Sequence, residues 1–128
     1  MQAQRVDRAA RVLLIEDDRD IAHLFARGLR HYGHAVTVAG DGKAGLNAAM
    51  TTDADIVLLD LRLPKLDGVE VLRRLRAARP TLPVAVLTNQ SDPEVTEEVK
   101  QLGVIGYLLK SRVTPAIVAG AIRRWLAT

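Results

Sequence analysis

At 128 residues, with 18 basic and 15 acidic side chains and a net charge of +3, the chain has the size of one domain and a mild basic excess. It has no cysteine, which excludes a disulfide framework and any thiolate metal or redox site. No apolar stretch approaches the ~20 residues that a membrane-spanning helix needs.

Residues 1–10 are polar, carry three charges and lack the apolar run of a secretory signal. They read as an N-terminal tail, with residues 11–127 as the folded domain. Together with the missing cysteine, this suggests a cytoplasmic protein with no membrane contact.

Strand and helix periods then alternate. The run over 12–15 is continuous and apolar, as expected of a strand covered on both faces. Ile21, Leu24, Phe25 and Leu29 repeat at helical spacing. Ala35–Ala39 reads as a short strand and 42–50 as an alanine-rich helix. Ile56–Leu59 is the most apolar strand and is expected at the centre of the sheet. Val69, Leu72 and Leu75 mark a helix that must stop near Pro80. A fourth strand covers 84–87 and a fifth 105–109. Asp92 before Pro93 and Thr114 before Pro115 each read as an N-cap followed by proline in the first helical turn. The last helix carries Val118, Ala121, Ile122 and Trp125 on one face.

Five strands alternating with five helices predict a doubly wound α/β fold with a five-stranded parallel sheet. Arg73, Arg74, Arg76 and Arg79 form a basic cluster. With no interleaved aromatic residues it reads as the solvated face of one helix, not as a nucleic-acid site.

Sheets of this kind bind ligands beyond the carboxyl ends of their strands. There the sequence places Glu16, Asp17 and Asp18 after the first strand, Asp60 after the third, Thr88 at the end of the fourth and Lys110 after the fifth. Asp18 or Asp20 is expected to cap the following helix. Glu16, Asp17 and Asp60 would crowd negative charge into one crevice, which like-charge repulsion disfavours unless cations offset it. Lys110 supplies one cation. Oxygen ligands without His or Cys suit Mg²⁺ or Mn²⁺ as another. Carboxylates, an ammonium and a hydroxyl around such an ion make a phosphoryl-transfer constellation, with a carboxylate able to act as nucleophile.

The segments LLIEDD at 13–18, LLDLRLPKLDG at 58–68, VLTNQ at 86–90 and GYLLK at 106–110 carry a specific resemblance. The chain resembles the response-regulator receiver family, of CheY-like fold, over nearly its full length. The resemblance implies that Asp60 is the phosphoacceptor. It implies that Asp17, Asp60 and the backbone carbonyl of Arg62 ligate the metal, with Glu16 acting largely through water. Thr88 and Lys110 would contact the phosphoryl group, and Tyr107 would be a switch aromatic coupled to Thr88. Gly68 would open the third helix.

The implied function is a phosphoacceptor in a His-Asp phosphorelay. A histidine kinase or histidine phosphotransfer protein would donate the phosphoryl group, and a downstream protein would read the changed surface. Such a domain catalyses its own phosphorylation and dephosphorylation but serves mainly as a switch. No nucleic-acid binding by this chain is expected, and the state would be monomeric, or dimeric on phosphorylation. One alternative is a degenerate receiver acting as a phosphorylation-independent interaction module, against which the retained site residues argue. The other is a flavodoxin-like FMN binder, which needs a Ser/Thr/Gly-rich phosphate loop where this chain has three acids.

Two positions depart from the family pattern: Asn89 stands where Ala or Gly is usual, and Ser111 where proline is usual. A cis bond before proline costs about 0.5–1 kcal/mol, but before serine about 2.5–4. The Lys110–Ser111 bond is therefore expected to be trans. Serine also restores a backbone N–H that must find a partner if buried.

Overall fold

The computed structural model describes residues 9–127. Strands β1 (Arg11–Ile15), β2 (Ala35–Ala39), β3 (Ile56–Leu59), β4 (Val84–Thr88) and β5 (Gly106–Leu109) alternate with five helices. These are α1 (Arg19–His31), α2 (Gly42–Thr51), α3 (Gly68–Ala78), α4 (Pro93–Gln101) and α5 (Pro115–Trp125), with a short 3₁₀ turn at Lys110–Arg112. All pairings are parallel, in the order β2-β1-β3-β4-β5, so β3 is central as expected. Most of the proposed N-terminal tail, residues 1–8, lies outside the described residues. Among the described residues no helix is long and apolar enough to cross a membrane.

Cover on both faces of the sheet explains why β1 after Arg11, all of β3, and β4 up to Thr88 are continuously apolar. Leu13, Ile15, Val57, Leu59, Val84 and Val86 point to one face, against Ala49 of α2, Val71, Leu72 and Leu75 of α3, and Val99 of α4. Val12, Leu14, Ile56, Leu58, Ala85 and Leu87 point to the other, against Phe25 and Leu29 of α1 and Val118 and Ile122 of α5. Each strand is buried on both faces because helices cover both. Burying one such Leu or Ile contributes roughly 1.5–3 kcal/mol, so these central strands are the least tolerant part of the chain.

The helix starts form as the sequence indicated. Asp18, Asp41, Asp67, Asp92 and Thr114 each accept backbone N–H bonds at an N-cap, and Pro93 and Pro115 sit in first turns. Leu24 departs from expectation. It is 53% exposed, because the buried stripe of α1 runs through Ala22, Phe25, Ala26 and Leu29 and leaves Leu24 to one side.

The arginine cluster divides. Arg73 and Arg74 pair with Glu70 on the α3 surface, and Arg73 also pairs with Glu98 of α4. Arg76 instead donates to three backbone carbonyls, those of Leu102 (2.9 Å), Leu82 (2.6 Å) and Gly103 (2.7 Å). Arg79 donates to the carbonyl of Ala49 at 2.9 Å. Arg76 therefore ties α3 to the loops before β4 and β5, a role that clustering in sequence does not reveal. Bonds from a charged donor are stronger than neutral ones, so Arg76→Ala is expected to lower unfolding stability by about 2 kcal/mol. Arg74→Ala should change it by less than about 0.5 kcal/mol in the same urea titration.

His34 is buried at 3% exposure between the start of β1 and α5. Its Nδ1 accepts from the Ala10 N–H at 3.1 Å, which leaves Nε2 to donate to the Ala119 carbonyl at 3.3 Å. Burial, opposed by the Ala119 bond and aided by Arg123, holds the imidazole below its ordinary value of 6.5. The folded protein thus keeps His34 neutral at pH values where the unfolded chain takes up a proton. This contribution is full above the unfolded value and is lost as pH falls toward the folded one. Stability should drop more steeply between pH 7 and 5 in the wild type than in His34→Gln, and equal slopes would contradict this assignment.

Candidate functional site

The register of the sheet brings the sequence-distant groups together. The β1–β3 ladder ends at Ile15↔Leu59, so Glu16 and Asp60 leave adjacent strands side by side. The Asp60 N–H still donates to the Ile15 carbonyl at 3.1 Å, and that of Glu16 to the Ala39 carbonyl at 3.0 Å. The β4–β5 ladder ends at Thr88↔Leu109, which sets Lys110 just beyond Thr88. Behind the site, Gly68 is required. A Cβ there would lie 2.4 Å from both the Asp60 carbonyl oxygen and the Leu61 Cα, so α3 starts this close only with glycine.

The resulting crevice has a volume of about 380 Å³ and is lined by Glu16, Asp17, Asp60, Arg62, Thr88 and Lys110, among others. Glu16, Asp60 and Thr88 are buried, while Asp17 is exposed at the mouth. Asp60 Oδ1 accepts from the Thr88 hydroxyl at 2.8 Å and from the Arg62 N–H at 3.3 Å. Asp60 Oδ2 accepts from Lys110 Nζ at 3.1 Å. The same ammonium donates to Glu16 Oε1 at 2.5 Å, and the Asp18 N–H donates to Glu16 Oε2 at 3.1 Å.

The electrostatics follow from burial and crowding. Burial pushes the Glu16 carboxyl up, and the negative charge of Asp60 adds to this, against hydrogen bonds from Lys110 and the Asp18 N–H. Burial acts to lower the Lys110 ammonium, but the Glu16 bond and the charges of Asp60 and Glu16 outweigh it and hold it above its usual value. Lys110 is therefore a fixed cation, 12% exposed and shared between two carboxylates.

Glu16, Asp17 and Asp60 each offer an oxygen, and these atoms lie within 4.8 Å of one another. Three carboxylates against one ammonium leave two negative charges when all are ionised, which a divalent cation would offset. All-oxygen donors with room beside them suit a hard ion. The acidic cluster therefore fits a divalent metal. Asp18 is not part of it, since its carboxylate caps α1 through the Asp20 and Ile21 N–H groups.

The Tyr107 hydroxyl donates to the Gln90 carbonyl at 2.5 Å, and the Gln90 N–H donates to Thr88 Oγ1 at 3.2 Å. A run of hydrogen bonds thus extends from Asp60 through Thr88 and Gln90 to Tyr107. No sequence signal marks Gln90, because its part is played by backbone atoms. The described residues contain no cis peptide bond, so Lys110–Ser111 is trans as expected. The Ser111 N–H finds its partner in Asn89 Oδ1, at 3.0 Å.

Comparison with known proteins agrees with this geometry. The family model for the response regulator receiver domain matches residues 12–121. The chain is 38% identical over 109 residues to the transcriptional regulatory protein PrrA of Mycobacterium leprae, covering 85% of this chain and 47% of that protein. It is 42% identical over 100 residues to the transcriptional regulatory protein QseB of Haemophilus influenzae, covering 78% and 45%. The chain thus spans about half the length of these relatives. Chemotaxis protein CheY4 of Vibrio cholerae superimposes with a TM-score of 0.84 at 27% identity, over 93% of this chain and all of that one. A CheY-like receiver domain protein from Methanospirillum hungatei JF-1, at 24% identity over 93% of this chain and 94% of that one, shares the fold with a TM-score of 0.87. Motifs, topology and family model agree, and the chain belongs to the response regulator receiver domain family of two-component signalling.

Proposed function

We propose that Asp60 is the phosphoacceptor, taking a phosphoryl group from the histidine of a kinase or phosphotransfer protein in a Mg²⁺- or Mn²⁺-dependent step. The observation that carries this reading is the set of contacts on one buried carboxylate: Thr88 on Oδ1 and Lys110 on Oδ2. Attack by an Asp60 oxygen forms a P–O bond as the P–N bond to histidine breaks, giving an acyl phosphate. Lys110 follows the developing charge onto a phosphoryl oxygen, and Thr88 turns its hydroxyl from Asp60 to another.

Both Glu16 oxygens already accept hydrogen bonds. As the family resemblance implies, Asp17, Asp60 and the carbonyl of Arg62 would be the direct metal ligands, with Glu16 acting through water. When bound, the ion supplies positive charge at the carboxylates and the transferring oxygens. Release of Asp60 by Thr88 would disturb the Gln90 backbone and through it Tyr107, changing the surface at α4, β5 and α5. A downstream protein would read that surface. We assign residues 11–127 as the receiver domain, acting in the cytoplasm.

Acetyl phosphate should add one phosphoryl group only when Mg²⁺ or Mn²⁺ is present, as read by intact mass. Asp60→Asn should abolish the adduct, and an adduct retained at full yield in that variant would refute the acceptor assignment. Lys110→Ala should tighten Mg²⁺ binding, because a competing cation leaves Glu16 and Asp60, while phosphorylation slows. A clear loss of Mg²⁺ affinity in a fluorescence titration would contradict the role given to the lysine.

A further inference from the structure

The groups that grip Asp60 sit on two separate strand ends, and one hydrogen bond joins the residues that follow them. Asn89 comes directly after Thr88, and Ser111 directly after Lys110. Asn89 Oδ1 accepts the Ser111 N–H at 3.0 Å, just past the last rung of the β4–β5 ladder at Thr88↔Leu109. A backbone N–H needs an acceptor, which fixes the orientation of the amide.

Ser111 lies in the 3₁₀ turn Lys110–Arg112. This turn has no capping hydrogen bond from the side chain at its own N-cap, Leu109. The first N–H groups of any helical turn lack partners within it. Asn89 therefore does from the neighbouring strand what an N-cap side chain does locally. It also lines the crevice, at the exposed rim above Asp60.

Lys110 needs such support. Its backbone opens the uncapped turn, yet its ammonium must span Glu16 at 2.5 Å and Asp60 at 3.1 Å. A long, flexible lysine stem holds one geometry only when its base is fixed. We propose that Asn89 is a positioning residue for Lys110: its amide oxygen caps the turn from across the strand boundary and holds the ammonium on the carboxylates. Its effect on phosphoryl transfer, though not its effect on Lys110, rests on the phosphoacceptor reading of Asp60.

The test compares Asn89→Ala in the wild-type and Lys110→Ala backgrounds, using the full chain. Three quantities are measured: hydrogen exchange at the Ser111 amide, Mg²⁺ affinity, and the phosphorylation rate with acetyl phosphate. Asn89→Ala should deprotect the Ser111 amide while the urea midpoint holds. It should tighten Mg²⁺ binding and slow phosphorylation, each by about three- to tenfold, the range expected for loss of one hydrogen bond. In the Lys110→Ala background it should change neither, because the group it positions is gone. Equal effects in both backgrounds, or none in either, would overturn the proposal. Absence of any adduct in the wild type would instead refute the reading of Asp60, and the Mg²⁺ comparison would still decide the role of Asn89.

Discussion

Glu16 and Asp60 emerge from adjacent strands with their carboxylates buried, and the Lys110 ammonium between them is what makes that arrangement stable. Two like charges this close strongly disfavour joint ionisation, and burial raises the cost. Lys110, held at 2.5 Å and 3.1 Å from the two carboxylates, offsets part of it. With Asp17 at the mouth the cluster still carries more negative than positive charge. That residual charge suits a divalent cation. The cation alone completes the balance, and with it an incoming phosphate meets a screened surface.

The rest of the fold serves this convergence. Strands buried on both faces cannot slip by one residue without exchanging their two apolar sets, but period two gives both sets similar size, so register needs further constraints. The ladder hydrogen bonds continue past the strand ends to Glu16 and Asp60. Gly68 lets α3 start against the Asp60 backbone. Arg76 fastens α3 to the segments leading into β4 and β5. The strand ends bearing the acids are thus anchored by backbone hydrogen bonds, and β4 and β5, which bear the hydroxyl and the lysine, are held at their starts.

Element types, strand order at the centre and the proline-marked helix starts were legible because each depends on local signals: continuous apolar runs, capping residues and fixed φ at proline. The site was legible because parallel topology sends every strand end to one edge. What escaped the sequence depends on neighbours distant along the chain. Arg76 and Arg74 are two residues apart on one helix, yet one is half-buried against carbonyls and the other stays on the surface. Leu24 fits a helical apolar pattern, yet only the placement of the buried stripe decides its exposure. Tyr107 meets a backbone carbonyl seventeen residues away in sequence, and no residue type marks that acceptor. Asn89 and Ser111 were visible as two unusual residues, but their hydrogen bond appears only when the ends of β4 and β5 stand side by side.

A crystal structure of the protein with Mg²⁺ and beryllofluoride tests the central claim most directly. The account predicts beryllofluoride on an Asp60 oxygen, Mg²⁺ bound by Asp17, Asp60 and the Arg62 carbonyl, and Lys110 and Thr88 each on a fluoride. Beryllofluoride on another carboxylate, or Lys110 remaining on Glu16 and Asp60 with the crevice otherwise unchanged, would contradict it.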